Sequence, residues 1–223
     1  NRKTKFQIIF KMKVQIWPSI MAQNQRELSI QLTKASTISK AVHLDITDGK
    51  FAPSKVLQFP FKLKRGLEYS AHLMIKSPHK FIKKHKKRIQ LFIPHIEVFK
   101  DPSTHIKFCQ KEKIVSSFAV LPETSFTSIK KYLKETDYIL VLTVKPGFYG
   151  SKFQKSQLKK IQSIKKYIIK NQLNTKIIID GSMNPQHIKL ANKAGADIFI
   201  SGSFLMKSDN PKKAMIELKK SIK

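Results

Sequence analysis

AVHLDITDGKFAPS, residues 41–54, is one unit of a plan that recurs along the whole chain. A short apolar run carries His43 and Asp45 two residues apart, and the turn Asp48-Gly49 closes it. Side chains alternate across a strand, so this spacing puts the imidazole and the carboxylate on one face. Two such groups at a strand's end can share a metal ion, or serve as an acid and its orienter. The fold follows from how often the unit recurs, and the chemistry from what the other copies bring to the same place.

Outward from this stretch, short apolar runs alternate with amphipathic segments. Strands are expected near 14–19, 42–45, 69–74, 90–97, 115–120, 138–144, 176–180 and 197–201. Runs this short and this apolar suit parallel strands buried on both sides. The clearest helix is expected over 151–172, with Ser151 as N-cap and Phe153, Leu158, Ile161, Ile164 and Ile168 along its inner face. Lysines fill its other face, as on a solvated helix surface. Eight strands alternating with helices are the count of an α/β fold, a single (β/α)8 TIM barrel. The stretch 49–66, with two prolines and no clear periodicity, is expected to be a loop beside the site.

Composition narrows the function classes. At 223 residues the chain fits one large domain, and its hydrophobic content of 41% is ordinary for a soluble globule. No apolar run approaches the roughly 20 residues of a membrane span. The formal charge of +30 and pI near 10.2 admit an anionic partner. Yet only four of the 44 basic residues are arginine (Arg2, Arg26, Arg65, Arg88), and the lysines are spread along the chain. Base readout and bidentate phosphate clamps favour the arginine fork, so a dedicated nucleic-acid function is not expected. The positive field would instead attract a phosphorylated substrate. Cys109 is the single cysteine, which rules out an intrachain disulfide and points to a reducing, cytoplasmic setting. Residues 1–11 lack the apolar length of a signal segment and are expected to form a disordered extension outside the fold, the barrel taking up 12–223.

In a barrel of this kind the C-terminal ends of the strands build the active site. The first ends in Pro18-Ser19, the second supplies His43 and Asp45, and the third His72 and Met74. The fourth supplies His95 and Glu97. The sixth runs into Lys145-Pro146-Gly147-Phe148-Tyr149-Gly150, the seventh into Asp180-Gly181-Ser182, and the eighth into Ser201-Gly202-Ser203. Two imidazoles and two carboxylates suit one divalent cation such as Zn, Fe, Mn or Co, whereas Mg would prefer an all-oxygen shell. Asp45 and Asp180, from the second and seventh strands, can face a bound substrate from different sides. One can remove a proton beside a polarised carbonyl and the other return it on the opposite face, an epimerisation. The glycine loops after the last three strands offer backbone N–H groups to a phosphate.

The strings WPSI (17–20), HLDITDGKF (43–51), AHLMIKSPHKF (71–81), HIE (95–97), VLTVKPGFYGSKF (141–153), IIIDGS (177–182) and AGADIFISGSFLM (194–206) stand in a characteristic order and spacing. On them the chain resembles the ribulose-phosphate 3-epimerases from Val14 to about Lys213. The resemblance implies a ribulose-phosphate-binding barrel that interconverts D-ribulose 5-phosphate and D-xylulose 5-phosphate in the pentose phosphate pathway. It implies that His43, Asp45, His72 and Asp180 bind the metal, that Asp45 and Asp180 are the catalytic acid/base pair, and that Ser19, His72 and Met74 contact substrate. Gly147, Phe148, Tyr149, Gly150, Gly181, Ser182, Gly202 and Ser203 would hold the phosphate. A homo-oligomer is expected.

Several positions depart from the family's pattern. Thr47 stands where a methionine lines the metal site, and so does Leu142, leaving Met74 of three and less polarisable thioether packing. Ser182 replaces the second glycine of DGG, Tyr149 and Ser151 alter the PGFGGQ loop, and MAQNQ follows WPSI in place of LSADF. With the wall altered, an epimerase of another ketose phosphate, such as a hexulose 6-phosphate, stands as the alternative, and beside it a catalytically silent barrel kept for binding. The related decarboxylase and hexulose-phosphate synthase barrels use D-x-K-x-x-D on the second strand, and no lysine lies between Asp45 and Asp48. His95 with Glu97 reads as a supporting pair beside the cluster, and Asp48 as a turn residue accepting backbone N–H bonds. Met74 reads equally as core packing. His79, His85, His105, His187 and Cys109 are expected to have no role in the chemistry.

Overall fold

Residues 14–146 and 151–222 are described by a computed structural model. The expected extension 1–11, and the domain boundary at residue 12, lie outside the described residues. In chain order the elements are β1 (Gln15–Ile20), α1 (Gln25–Ser36), β2 (Ala41–Asp48), β3 (Lys55–Val56), β4 (Glu68–Met74), α2 (Pro78–His85), β5 (Leu91–Pro94), α3 (Ser103–Glu112), β6 (Ser117–Val120) and α4 (Phe126–Ile129). They continue as β7 (Tyr138–Leu142), α5 (Gln157–Lys170), β8 (Lys176–Asp180), α6 (Pro185–Lys193), β9 (Ile198–Ser201), α7 (Ser203–Met206) and α8 (Pro211–Lys220). Short 3-10 turns occupy Ile96–Val98 and Lys130–Glu135.

Apart from β3, which folds back antiparallel on β2, the strands are parallel, in the order β5-β4-β2-β1-β9-β8-β7-β6. The two ends of this ribbon meet at a parallel bridge between His95 and Ala119, giving a nearly closed eight-stranded barrel wrapped in helices. Each expected strand is present. Among the described residues, no helix is long and apolar enough to cross a membrane.

Parity along each strand decides what faces the barrel interior. In β2, Val42, Leu44 and Ile46 pack outward with Leu28 and Leu32 of α1, while Ala41 joins the inner layer. His43 and Asp45 share the parity of Ala41 and therefore point inward. In β4, Tyr69, Ala71 and Leu73 pack outward, which turns Ser70, His72 and Met74 inward. In β8, Ile177 and Ile179 pack outward and Ile178 inward, so Asp180 faces inward too. Trp17, Leu91, Ile93, Leu140, Ile178 and Ile198 fill the inner layer as a packed core. The polar groups stand above this apolar floor, at the C-terminal ends of the strands.

Helix starts are written in the sequence by asparagine followed by a helical turn. Asn24, Asn184 and Asn210 each accept a backbone N–H three residues on, and proline follows the last two at the first helical position. One expected helix start is corrected. The helix expected over 151–172 begins only at Gln157, and Ser151 is not its N-cap. Gln154 N instead donates to the Thr143 carbonyl at 2.7 Å, and the Ser151 carbonyl accepts from the Ser182 hydroxyl. Those bonds hold the segment against the ends of β7 and β8, so it cannot coil. The strand expected over 90–97 also stops early, at Pro94, where a 3-10 turn takes over.

Candidate metal and phosphate site

Register brings the inward polar groups together. Asp45 pairs with His72 across β2 and β4, and Ser19 pairs with His43 across β1 and β2. Asp180 reaches the same point from β8. Asp45 Oδ1 lies 3.7 Å from both His43 Nε2 and His72 Nδ1, and His72 Nδ1 lies 3.2 Å from Asp180 Oδ2. One ligand atom from each of the four falls within 4.8 Å of every other. Both imidazoles and Asp45 are buried, and Asp180 is partly exposed at the mouth.

Each ring is turned by a partner on its far nitrogen. His43 Nδ1 contacts the Ser70 hydroxyl at 2.7 Å, which leaves Nε2 for the cluster. His72 Nε2 meets His95 Nε2 at 2.9 Å, and His95 Nδ1 donates to Glu97 Oε2 at 3.0 Å. Glu97 is anchored in turn by the Leu121 N–H and the Thr124 hydroxyl. Burial pushes His95 down to about 4 despite Glu97, so its ring is neutral. With Nδ1 protonated toward Glu97, its Nε2 can only accept, and the proton between the rings belongs to His72 Nε2. His72 Nδ1 is thereby directed at the carboxylates. Burial works against a charge on His72 as well, but the hydrogen bond to Asp180 and the nearby carboxylate of Asp45 prevail and raise it to about 9. Burial lowers His43.

The donors fit a divalent cation. His43 Nε2 and Asp45 Oδ1 are fully buried with no hydrogen-bond partner, a costly condition for polar atoms unless an ion completes them. Their 3.7 Å separation is what two ligands of one ion show at metal–ligand distances of about 2.0–2.2 Å. Two imidazole nitrogens and two carboxylate oxygens suit Zn, Fe, Mn or Co. The two carboxylates draw a proton onto His72, and a divalent cation would answer the same negative charge.

A cavity opens beside the cluster. It is lined by Asp45, His72 and Asp180 with Ser19 and Met74, and by Gly181, Ser182, Gly202 and Ser203. Of the expected phosphate contacts, Gly147, Phe148, Tyr149 and Gly150 lie outside the described residues. Gly181 has φ of 118°, and a Cβ there would meet Val144 Cγ2 at 2.7 Å and Thr143 Oγ1 at 2.8 Å, so only glycine fits. Ser182, by contrast, adopts φ of 53° although it carries a side chain. That left-handed geometry costs a non-glycine residue about 1–2 kcal/mol.

The cavity wall differs from expectation in its sulfur atoms. Leu142 lines it as expected, but Met21 and Met183 stand there together with Met74. The site therefore keeps thioether surface from other positions. Thr47 does not line the cavity: it is buried, with its hydroxyl 3.1 Å from the Ser54 hydroxyl. Met21 could have been found by extending the inward parity of Trp17 and Ser19 by one step. Ser70 shares the inward parity of His72 and Met74, but its pairing with His43 is set by register. Lys145 brings a positive charge to the rim. Asp48 behaves as a turn residue, accepting from the Lys50 and Phe51 N–H groups and, across to the end of β4, from Lys76.

The chain is similar to known proteins along most of its length. The family model described as the ribulose-phosphate 3 epimerase family matches residues 15–206. The ribulose-phosphate 3-epimerase of Methanocaldococcus jannaschii is 30% identical over 213 residues, covering 93% of this chain and 91% of that protein. That of Bacillus subtilis is 26% identical over 215 residues, covering 93% and 99%. Among solved structures, the 3-keto-L-gulonate-6-phosphate decarboxylase of Vibrio cholerae superposes with a TM-score of 0.65 over 94% of this chain and 96% of its own. At 8% identity it shares the fold alone.

Proposed function

The chain belongs to the ribulose-phosphate 3-epimerase family, isomerases acting on carbohydrates, and on that premise we propose that it interconverts D-ribulose 5-phosphate and D-xylulose 5-phosphate with one bound divalent cation. The observation that carries the reading is the pair Asp45 and Asp180. Their carboxylates come from β2 and β8, strands separated by β1 and β9 in the barrel, and both approach His72 Nδ1. His43, Asp45, His72 and Asp180 would hold the cation, which when bound polarises the substrate carbonyl and lowers the cost of an enediolate.

The chain's own groups do the rest. The ketose phosphate lies along the cavity, with its carbon 3 between the two carboxyl groups and Ser19 beside it. One aspartate, ionised, takes the proton from carbon 3. The other, protonated, delivers a proton to the opposite face of the planar enediolate. The configuration at carbon 3 inverts, and the two carboxyl groups have exchanged protonation states. Met21, Met74 and Met183 present soft apolar surface to the intermediate and help exclude water. Gly181, Ser182, Gly202 and Ser203, together with the segment 147–150, hold the phosphate and so set the distance from phosphate to reacting carbon.

A coupled assay on D-ribulose 5-phosphate, run with the metal-stripped chain reloaded with Zn, Fe, Mn or Co, tests the reading. Turnover that depends on added metal supports it. Turnover confined to a six-carbon ketose phosphate would move the substrate to the alternative class, and absence of stoichiometric metal binding would remove the mechanism.

A further inference from the structure

Ser182 occupies a backbone conformation that favours glycine, φ 53°, at the cavity wall assigned to phosphate. Two hydrogen bonds hold it there. Its carbonyl lies 2.6 Å from His187 Nδ1, and because a carbonyl can only accept, that nitrogen carries the proton and donates. Its hydroxyl donates to the carbonyl of Ser151. The His187 ring stacks on Phe153, with centroids 4.0 Å apart and planes at 14°. His187 is itself fixed in the first turn of α6, where its N–H donates to Asn184 Oδ1 at 2.8 Å. One imidazole thus fastens the turn after β8 to the segment 151–153 that follows β7.

We propose that His187 is a positioning residue for the substrate phosphate, the clamp that lets a serine stand where the chain needs left-handed backbone. It touches neither the reacting carbon nor the aspartates. Its Nδ1–H bond keeps the Ser182 peptide in the orientation that completes the phosphate wall, and its stack on Phe153 fixes the segment 151–153, whose Ser151 also lines the cavity. The inference rests on the phosphate reading of this cavity and adds to it the side chain that maintains the cradle.

Four variants of the full chain, assayed with divalent metal, test it: His187→Phe, which keeps a ring on Phe153 but cannot donate; Ser182→Gly, which needs no clamp; the two combined; and His187→Gln. The readouts are kcat and KM for D-ribulose 5-phosphate and the competitive inhibition constant of inorganic phosphate. In His187→Phe, KM and the phosphate constant should rise together by about ten-fold, the loss of one hydrogen bond's worth of positioning, with kcat held within about two-fold. Ser182→Gly in the same chain should return both constants close to their starting values. His187→Gln, whose amide can donate to the same carbonyl, should recover most of the affinity. An unchanged phosphate constant in His187→Phe, a fall in kcat at constant KM, or failure of Ser182→Gly to rescue would each overturn the assignment. If inorganic phosphate does not compete in the unaltered chain, the phosphate reading fails and the clamp with it. Normal competition in the unaltered chain with a silent His187→Phe defeats the clamp alone.

Discussion

His72 Nδ1 lies 3.2 Å from Asp180 Oδ2, although 108 residues separate them in the chain. The same nitrogen is 3.7 Å from Asp45 Oδ1, so one imidazole stands between two carboxylates delivered by β2 and β8. Burial alone would lower the pKa of this ring, but the two carboxylates outweigh it and raise it to about 9, and a divalent cation would answer the same pair of charges. The arrangement makes Asp45 and Asp180 a coupled unit, which gives the expected mutational behaviour its form.

Asp180→Asn removes the group that exchanges a proton on one face of the substrate. Epimerisation should fall by roughly a hundred- to ten-thousand-fold, the usual worth of a positioned acid/base group. Asp45 remains, so slow exchange of the carbon 3 hydrogen with solvent should persist from a single face. Isotope exchange followed beside turnover checks this, and near-normal turnover would refute the two-base assignment.

His95→Ala leaves His72 Nε2 without its acceptor and frees the ring to turn. Metal affinity, measured by titration of the stripped protein with cobalt, should drop by about 10- to 100-fold, as when a ligand's outer partner is lost. An unaltered affinity would mean that the His72–His95–Glu97 chain is only packing.

Much of this was legible before any coordinates. The two-residue spacing of His43 and Asp45, and the parity of the apolar runs in β2, β4 and β8, fix which side chains face inward, because that choice is local to each strand. What could not be read depends on register and on loop paths. Ser70 matters because it pairs with His43 across β2 and β4. Met183 reaches the cavity past the left-handed turn at Gly181-Ser182, where simple alternation ends. The apolar period of 151–172 continues through Phe153, yet that ring is buried on His187 and the helix starts later, since tertiary bonds from Thr143 and Ser182 outweigh local preference.

Thr47 looks in sequence like a lost wall residue, but it is not among the residues that line the cavity, and its hydroxyl is bonded to Ser54. Thr47→Met should therefore not raise turnover. It should overpack a fully buried position and cost about 1–3 kcal/mol of stability, read from urea denaturation. A gain in kcat without loss of stability would contradict this placement.

His105, buried on α3, has its Nδ1 3.0 Å from His79 Nε2 of α2 and its Nε2 3.4 Å from the Cys109 sulfur. Burial, with a smaller contribution from His79, lowers its pKa from 6.5 to about 3. Between those values the unfolded chain binds a proton that the folded chain refuses, so stability should fall as pH falls. The slope is at most about 1.4 kcal/mol per pH unit. Urea midpoints taken from pH 7 down to pH 4.5 should decline more steeply for the unaltered chain than for His105→Leu. Parallel declines would show that His105 does not contribute.

The most direct measurement is proton NMR of D-ribulose 5-phosphate incubated with the cobalt-loaded protein in heavy water. The expected result is accumulation of D-xylulose 5-phosphate carrying deuterium at carbon 3, as a proton removed on one face and a deuteron returned on the other require. Stoichiometric cobalt with neither D-xylulose 5-phosphate nor exchange at carbon 3 would contradict the assignment of Asp45 and Asp180 as an epimerising pair.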